Sequence, residues 1–278
     1  MAIVAVVGGS RPEILELVRQ SKKEFVGTVL FKVFDVLPNI DTEHVWEYIQ
    51  CESEMEMVHQ AVHSVAQGEA DILLKGGVQT HTLLKEVLKA EHDLKKQAVL
   101  SHVALVNLPV LNRPLLLSDA AMNIDPSEEQ LVGIIENAID VAKQIGLEKP
   151  KVALLSAAEN SNPKMPSSVM AQSLAETFSE RSDALVYGPL SLDLALSKKA
   201  VEKKQFEGPI QGDADIVIVP TIDVGNVLYK SFLLFGEGTI GGTIVGTRVP
   251  IVLTSRSDEV KSKVYALKFA LMQIGEQT

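Results

Sequence analysis

The sequence predicts an α/β protein built on a largely parallel sheet. Short apolar runs alternate with stretches of helical periodicity from one end of the chain to the other, which is the pattern of strand–helix–strand units. The 278 residues suffice for one large domain or two ordinary ones, at about 100–200 residues per domain. No internal repeat and no Pro/Ser-rich linker interrupts the pattern, so two domains would have to be joined by short crossings between strands.

The first half of the chain begins with the β-rich run Ala2–Val7, which ends at Gly8-Gly9. Pro12 then opens a helix, because proline is favoured in the first helical turn. The further predicted strands are Phe25–Phe31, Asp71–Leu74, Val99–Leu108 and Arg113–Ser118. The further predicted helices run from Val45 to about Gln67, after Gly77 over the apolar positions Leu83, Leu84, Val87, Leu88 and Leu94, and over Glu128–Ile145.

The alternation continues in the second half of the chain. The predicted strands there are Lys151–Leu155, Asp215–Val219 and Pro250–Leu253. The predicted helices run from Ser167 to about Glu180, within Leu190–Lys204, over Asn226–Phe235, and from about Asp258 to Ile274. Loops are expected at Ser156–Pro166 and Pro220–Gly225, and the glycine-rich segment Gly236–Gly246 leads into the strand Pro250–Leu253.

Composition and charge exclude several classes of protein. Hydrophobic residues make up 46% and charged residues 22% of the chain, which are ordinary values for a globular protein. The net charge of −10 and the lack of a Lys/Arg block argue against a nucleic-acid partner. No apolar run approaches the roughly 18 residues of a membrane-spanning helix, and the first residues lack the features of a signal peptide. We therefore expect a soluble, cytoplasmic protein without a membrane partner.

The segment Gly236–Gly241 matches the pattern G-x-G-x-x-G. A dinucleotide fingerprint requires a strand before it and a helix after it, whereas here a helix precedes the glycines and a strand follows them. We therefore interpret the segment as a flexible turn. No G-x-x-x-x-G-K-[ST] sequence occurs, which excludes a P-loop.

Two further features have chemically active side chains. His59 and His63 have the spacing of a helical zinc pair, but Gln60 stands where zinc proteases place their general-base glutamate. We expect two surface histidines and no metal site. Cys51 is the single cysteine and lies among acidic residues, a setting that disfavours a thiolate, so we expect an unreactive thiol.

Polar loops follow five of the predicted strands. In parallel α/β sheets, ligands bind beyond the C-terminal ends of the strands and at helix N-termini. The five loops are Lys75–Thr80, Ser118–Asn123, Asn160–Pro166, Thr221–Asn226 and Thr254–Asp258. Each could be an ordinary capped loop, but five on one sheet family predict a site for a polyanionic ligand.

Four segments of the chain resemble the phosphate acyltransferase family of phosphate acetyltransferases and phosphate butyryltransferases. They are residues 70–88, 152–168, 212–230 and 249–258, and they occur in the family's order. The chain length and the sequences Lys-Met-Pro and Thr-Ser-Arg-Ser-Asp are more similar to the butyryl or branched-chain members than to the acetyl ones.

The resemblance implies a fold and a reaction. The fold would be two parallel-sheet α/β domains around a cleft, isocitrate dehydrogenase-like, with residues 1–97 plus 248–278 in the first domain and 98–247 in the second. The implied reaction is acyl-CoA plus phosphate giving acyl phosphate plus CoA, by direct attack in a ternary complex. The resemblance also implies a homodimer, and no metal or cofactor beyond the substrates coenzyme A and phosphate.

The family's catalytic Ser-Arg pair matches Ser255 and Arg256. The resemblance assigns Ser255 to hydrogen bonding of the acyl oxygen or thiol, and Arg256 to the phosphate and the developing negative charge. The acetyl members have a catalytic aspartate a few residues beyond this pair, where a gapless match places Ser262 in this chain. Asp258 is the acid nearest to the Ser-Arg pair, and it is either the base or only the cap of the last helix. We expect substrate binding by residues of the polar loops and matching segments: Lys75, Gly76, Thr80, Asp119, Asn123, Asn162, Lys164, Asp223, Gly225, Asn226 and Lys230.

The sequence departs from the acetyl members in the helix that follows Asn226. They have an arginine where this chain reads Leu233-Leu234-Phe235, and an apolar replacement favours a larger acyl group.

Two alternatives remain at the level of sequence. A metal- and dinucleotide-dependent dehydrogenase of the same fold would need an aspartate cluster, and Asp213, Asp215 and Asp223 are available. Asp213 and Asp215, however, are expected at the start of a strand, away from the ligand end. A non-catalytic CoA or phosphate sensor would be expected to have lost the Ser-Arg pair, which is intact.

Overall fold

The structure is a computed structural model that describes residues 1–25, 27–38, 43–253 and 259–276. The strands are β1 Ala2–Val7, β2 Val29–Asp35, β3 Glu47–Gln50, β4 Ile72–Lys75, β5 Ser101–Asn107, β6 Leu115–Ser118, β7 Lys151–Leu155, β8 Leu185–Leu190, β9 Ile216–Ile218, β10 Thr239–Val245 and β11 Ile251–Leu253. The helices are α1 Pro12–Glu24, α2 Glu54–Ala66, α3 Thr80–Val87, α4 Glu128–Gln144, α5 Pro166–Thr177, α6 Leu192–Leu196, α7 Lys198–Lys204, α8 Ile222–Leu234 and α9 Val260–Gln273, with a 3-10 helix at Ala90–His92. The predicted α/β class is confirmed.

The chain forms two compact units, Met1–Ala98 with Gly241–Thr278, and Val99–Ile240. The first unit contains strands in the order β3-β2-β1-β4-β11-β10. All neighbours are parallel except β10 and β11, which are antiparallel. The sheet packs against α1 and α9 through a core of aliphatic and phenylalanine side chains that includes Val4, Leu17, Phe31 and Leu267. Ala5 and Val7 of β1, whose side chains point to the face of the sheet opposite to that of Val4, are buried too. This is expected for a parallel strand that is covered on both faces.

The second unit contains strands in the order β5-β6-β9-β7-β8. Strands β6, β9, β7 and β8 are mutually parallel, and β5 is antiparallel to β6. Helix α4 begins at a capping box in which Ser127 and Gln130 bond each other's backbone N–H groups. Because the parallel strands share one direction, the loops that follow β6, β9 and β7 all leave the same edge of this sheet.

The predicted helix from Val45 to Gln67 is wrong in its first part. Residues Glu47–Gln50 form β3, and Tyr48 pairs in parallel with Val33 of β2. The helix begins only after Ser53, whose side chain accepts the backbone N–H of Glu56. Aromatic and β-branched residues at positions 46–49 favour a strand. These residues form β3 because β2 offers an edge with which they can pair.

Two other predictions about strands need correction. The strand predicted at Phe25–Phe31 lies at Val29–Asp35, because α1 continues to Glu24 and a turn follows it. Strand β8 was not predicted at all. It contains Pro189, which is tolerated because β8 is the edge strand of its sheet.

The segment Gly236–Gly241 is predicted as a flexible turn, yet β10 begins within it at Thr239. A Cβ atom on Gly241 would lie 2.4 Å from the backbone nitrogen of Ala266 in α9. The glycine therefore permits close approach of helix and strand rather than flexibility. Helix α8 also begins at Ile222, four residues earlier than expected.

Candidate active site

The C-terminal ends of three neighbouring parallel strands meet at one edge of the first unit. Lys75, the last residue of β4, is in register with Val7 at the end of β1 and with Leu253 at the end of β11. The Lys75 side chain is buried, with 8% of the residue exposed. Ser255, Arg256 and Asp258 follow β11 directly in the sequence and lie outside the described residues.

The loops that follow β1 and β4 are packed closely together. A Cβ atom on Gly76 would lie 2.1 Å from the carbonyl oxygen of Gly8, and Gly8 itself has φ +79°. The N–H of Gly76 donates to Val7, and the N–H of Gly77 donates to Gly8 at 2.7 Å. Only glycine fits at this contact, and these two amides are bonded within the protein. A role of Gly76 in substrate binding stays a prediction.

An arginine that the sequence argument missed lies beside this contact. Arg11 Nη2 donates to the carbonyl oxygen of Gly77 at 3.2 Å, and a third of the Arg11 side chain is exposed. Arg11 is also the N-cap residue of α1, so it follows the end of β1 by only a few residues. Its position in the sequence, directly after the Gly-Gly-Ser turn that follows β1, could have indicated Arg11 as a site residue. Thr80, a predicted site residue, is the exposed first residue of α3.

In the second unit, the carboxylate of Asp119 organises the loop that follows β6. The residue is 3% exposed. Its two oxygens accept hydrogen bonds from the backbone N–H groups of His102, Ala121, Met122 and Asn123 and from Nδ2 of Asn123. Five hydrogen bonds offset the cost of burying a negative charge. The Asp119 side chain therefore serves mainly to hold the backbone of this loop in place.

The start of α8 packs on the same loop. A Cβ atom on Gly225 would lie 2.5 Å from the carbonyl oxygen of Asp119. Asn226 Nδ2 donates to the carbonyl oxygen of Ala120 at 3.4 Å. The structure thus brings together four predicted site residues: Asp119, Asn123, Gly225 and Asn226.

Two more predicted residues lie on α8. Asp223 is exposed in the first turn, where a negative charge is favourable to the helix dipole. Lys230 is exposed about two turns further on, with Nζ 5.4 Å from the centre of the Tyr229 ring. The Tyr229 ring lies 6.3 Å from that of the buried His102, a pair that nothing in the sequence indicated.

The loop that follows β7 carries Asn162 and Lys164. The Oδ1 atom of Asn162 accepts the N–H of Lys164 at 3.0 Å, and the N–H of Asn162 donates to Ser168 in α5. These bonds fix the loop to the helix, while Lys164 remains exposed. Because β7 is parallel to β9, this loop leaves the same edge of the sheet as the start of α8.

Comparison with known proteins gives the family. The family model described as phosphate acetyl/butaryl transferase matches residues 43–271. The probable phosphate butyryltransferase of Bacillus subtilis is 37% identical over 99% of this chain and 94% of its own. The chain belongs to the phosphate acetyl/butyryl transferase family.

Solved structures agree with this membership. A branched-chain phosphotransacylase from Enterococcus faecalis is 56% identical, with a TM-score of 0.96 and full coverage of both chains. A putative 4-hydroxythreonine-4-phosphate dehydrogenase from Salmonella typhimurium is 13% identical over 98% of this chain and 99% of its own, with a TM-score of 0.63. The second likeness concerns the fold alone, and it confirms the predicted relation to dehydrogenases of this fold. As a member of the transferase family, the protein is an acyltransferase.

The dehydrogenase alternative is not favoured by the family or by the aspartates. Asp215 accepts the backbone N–H of Lys151 at 2.8 Å, and Asp213 pairs with the Lys151 ammonium. Both aspartates precede β9, whereas Asp223 lies beyond its other end. These three carboxylates therefore lie at opposite ends of the strand and do not form one metal site.

Cys51 is buried, and its thiol has a raised pKa. Burial is the main cause, and the negative charges of Glu56 and Asp35 add to it. A thiol in this environment is a poor nucleophile at neutral pH, in line with the prediction that it is unreactive. No described helix is both long and apolar enough to cross a bilayer.

Proposed function

We propose that this acyltransferase interconverts a short- or branched-chain acyl-CoA plus phosphate with acyl phosphate plus CoA. The observation that carries the proposal is the 56% identity, over both complete chains, to a branched-chain phosphotransacylase. In the forward reaction, a phosphate oxygen attacks the thioester carbonyl carbon and forms a carbon–oxygen bond. The carbon–sulfur bond then breaks, and the CoA thiolate leaves and takes up a proton.

This chemistry needs a cation for the phosphate, donors for the oxyanion and help for the leaving thiolate. We assign Arg256 to the phosphate and the growing negative charge, because its guanidinium can bind a phosphate with two parallel hydrogen bonds. Ser255 donates to the acyl oxygen or the thiol. The register of Leu253 with Lys75 supports this assignment, since it places the end of β11 beside a buried lysine at the ligand-binding edge of the sheet.

Asp258 has two possible roles, as base or as helix cap. The N-cap position of α9 is Glu259, which makes no side-chain cap bond. We assign Asp258, the acid nearest to the Ser-Arg pair in the sequence, as the base that receives or returns the proton.

We also assign substrate-binding residues to the described loops of the second unit. Asp119 is a positioning residue that holds Asn123 and the start of α8, and Asn226 lies beside it. The exposed cations Lys164 and Lys230 bind the phosphate groups of coenzyme A. Arg11, the partly exposed arginine of the first unit, is a further candidate for a phosphate contact.

Acyl transfer proceeds directly from CoA to phosphate in a ternary complex. The raised pKa of the buried Cys51 thiol supports a route without an acyl-cysteine. The substrates coenzyme A and phosphate are the only small molecules that we assign to the reaction, and we place the protein in the cytoplasm.

We also propose a homodimer, on the evidence of α8. Among its residues only Gly225 is buried, although most of its side chains are apolar. Val227 and Leu234 of α8 are 64% and 73% exposed, and Phe235, the C-cap residue that follows the helix, is 84% exposed. An apolar helix face of this kind is typical of an interface.

The test of the function is phosphate-dependent thiol release from a panel of acyl-CoAs, with phosphate omitted as the control. We expect butyryl-CoA and branched short-chain acyl-CoAs to react faster than acetyl-CoA. Thiol release that does not depend on phosphate would refute the proposed reaction. A preference for acetyl-CoA would refute the proposed acyl specificity.

A further inference from the structure

Three elements of the first unit bring four metal-ligating side chains to one place. His59 comes from α2, Glu86 from α3, and Glu91 and His92 from the 3-10 helix. One ring or carboxylate atom of each residue lies within 4.8 Å of those of the other three. His92 is buried and His59 is half exposed, so the group has a fixed inner side and an open outer side.

The distances within this group are close to those around a bound ion. His59 Nδ1 and His92 Nε2 each lie 2.9 Å from the same atom, Oε1 of Glu86. Glu91 Oε1 lies 4.0 Å from His59 Nδ1 and 3.7 Å from His92 Nε2. Neighbouring ligands of a tetrahedral zinc ion are about 3.4 Å apart, given metal–ligand bonds of about 2.0–2.1 Å. Shifts of less than about one ångström would therefore complete the geometry.

The orientation of the buried ring is set by this group. The other ring nitrogen of His92, Nδ1, has no hydrogen-bond partner within the described part of the chain. The backbone carbonyl oxygen of His92 accepts a hydrogen bond from Arg248 Nη2 at 3.0 Å, and this bond holds the His92 backbone in place. The polar contact of the imidazole is thus made only on the side that faces Glu86.

We infer that His59, Glu86, Glu91 and His92 form a binding site for one divalent transition metal ion of the zinc type. Two imidazole nitrogens with two carboxylates are a donor set that suits zinc and its neighbours rather than calcium or magnesium. The ammonium of Lys89 contacts both carboxylates, at 2.9 Å from Glu86 and 3.6 Å from Glu91. Because Lys89 is about half exposed, it can turn into solvent when the ion binds.

The site is structural and separate from acyl transfer. Helix α3 begins at Thr80, beyond the C-terminal end of β4, and Glu86 lies about 9 Å further along its axis. Arg248, which bonds His92, precedes β11 and so belongs to the opposite edge of the sheet from Leu253. The ion would join α2, α3 and the 3-10 helix at that opposite edge.

The test is titration of chelator-treated protein with Zn²⁺ in competition with a chromogenic chelator, without any acyl-CoA. We expect one ion per chain, and His59→Ala should weaken binding at least about 100-fold, since even residues behind the ligands contribute 10–100-fold. Glu91→Gln should weaken it less. Lys89→Ala should strengthen it, because the competing cation is gone.

His63→Ala is the matched control, since His63 lies one turn from His59 on α2, with ring centres 6.0 Å apart, but does not belong to the group of four. It should bind Zn²⁺ as the wild type does, and Zn²⁺ should raise the unfolding temperature of the wild type and His63→Ala but not of His59→Ala. Equal affinity of His59→Ala and His63→Ala, or no stoichiometric binding by the wild type, would overturn the inference. Neither readout depends on acyl transfer, so the site and the proposed reaction can fail separately.

Discussion

Leu253, the last residue of β11, is the parallel register partner of Lys75, the last residue of β4. The chain therefore leaves β11 at the edge where ligands bind in parallel α/β sheets. Ser255 and Arg256 come two and three residues later in the sequence. This relationship connects the family's Ser-Arg pair to a particular edge of the sheet, and the first prediction rests on it.

Arg256→Ala should lower the rate constant for acyl transfer much more than Ser255→Ala does. Arg256 holds a charged group, and hydrogen bonds to charged groups contribute roughly 1.5–3 kcal/mol, against about 1 kcal/mol for neutral ones. We expect a loss on the order of 100-fold or more for Arg256→Ala. Arg256→Lys should restore only part of the rate, because an ammonium lacks the planar fork.

Steady-state kinetics with both substrates varied measure these effects, on variants whose fold is checked by circular dichroism. Near-wild-type turnover of Arg256→Ala would remove Arg256 from the mechanism.

Cys51→Ala should keep near-normal turnover. The thiol is buried and its pKa is raised, so only a small part of it is ionised at neutral pH. The measurement is the turnover number with butyryl-CoA, together with mass spectrometry of the enzyme quenched during turnover. An acyl group found on Cys51 would contradict direct transfer to phosphate.

Asp119→Asn should destabilise the fold. An asparagine offers one acceptor oxygen where the carboxylate accepts five hydrogen bonds, and its amide would face N–H donors. Buried groups left unsatisfied cost about 1–3 kcal/mol each, so we expect a loss in the free energy of unfolding of at least about 1 kcal/mol.

Denaturant unfolding measures the loss, with Asp125→Asn as the control. Asp125 is exposed in the same segment, and its substitution should change stability by no more than about 0.5 kcal/mol. Equal effects of the two substitutions would mean that Asp119 does not organise the loop.

Phe235→Ser should weaken the proposed dimer at least about tenfold, because exposed aromatic residues often dominate the energy of an interface. Sedimentation at several protein concentrations gives the dissociation constant. Met55→Ser is the control, since Met55 is 80% exposed on α2 and is not part of α8. A wild-type protein that stays monomeric would refute the homodimer. An unchanged dissociation constant for Phe235→Ser would show that Phe235 does not lie in the interface.

Much of the fold was predictable because apolar periodicity and local signals agreed. Pro12 opens α1 and the run Ala2–Val7 is β1, both with the predicted start. The failures lie where tertiary contacts decide. Tyr48 joins an edge strand through β2, and Gly241 lies in a strand because α9 approaches it closely. Neither contact can be read from a window of neighbouring residues.

The positions of several site residues were predictable from the sequence, but their contacts were not. Loop positions after parallel strands pointed to Asp119, Asn123, Gly225 and Asn226, and the structure brings these four together. The sequence could not indicate that the Asp119 carboxylate would be surrounded by N–H donors. His92 was missed for the same reason, since its partners His59 and Glu86 are distant in the sequence. The roles of Ser255, Arg256 and Asp258, and the domain boundaries at 97/98 and 247/248, stay predictions.

The measurement that tests the central claim most directly is product stoichiometry with purified protein, butyryl-CoA and phosphate. Free thiol and acyl phosphate, the latter trapped as its hydroxamate, are measured in the same samples over time. Acyl transfer to phosphate predicts one acyl phosphate for each CoA released, in the absence of nicotinamide cofactor. Thiol release accompanied by free butyrate and no acyl phosphate would contradict the account, because the acyl group would then have passed to water instead of phosphate.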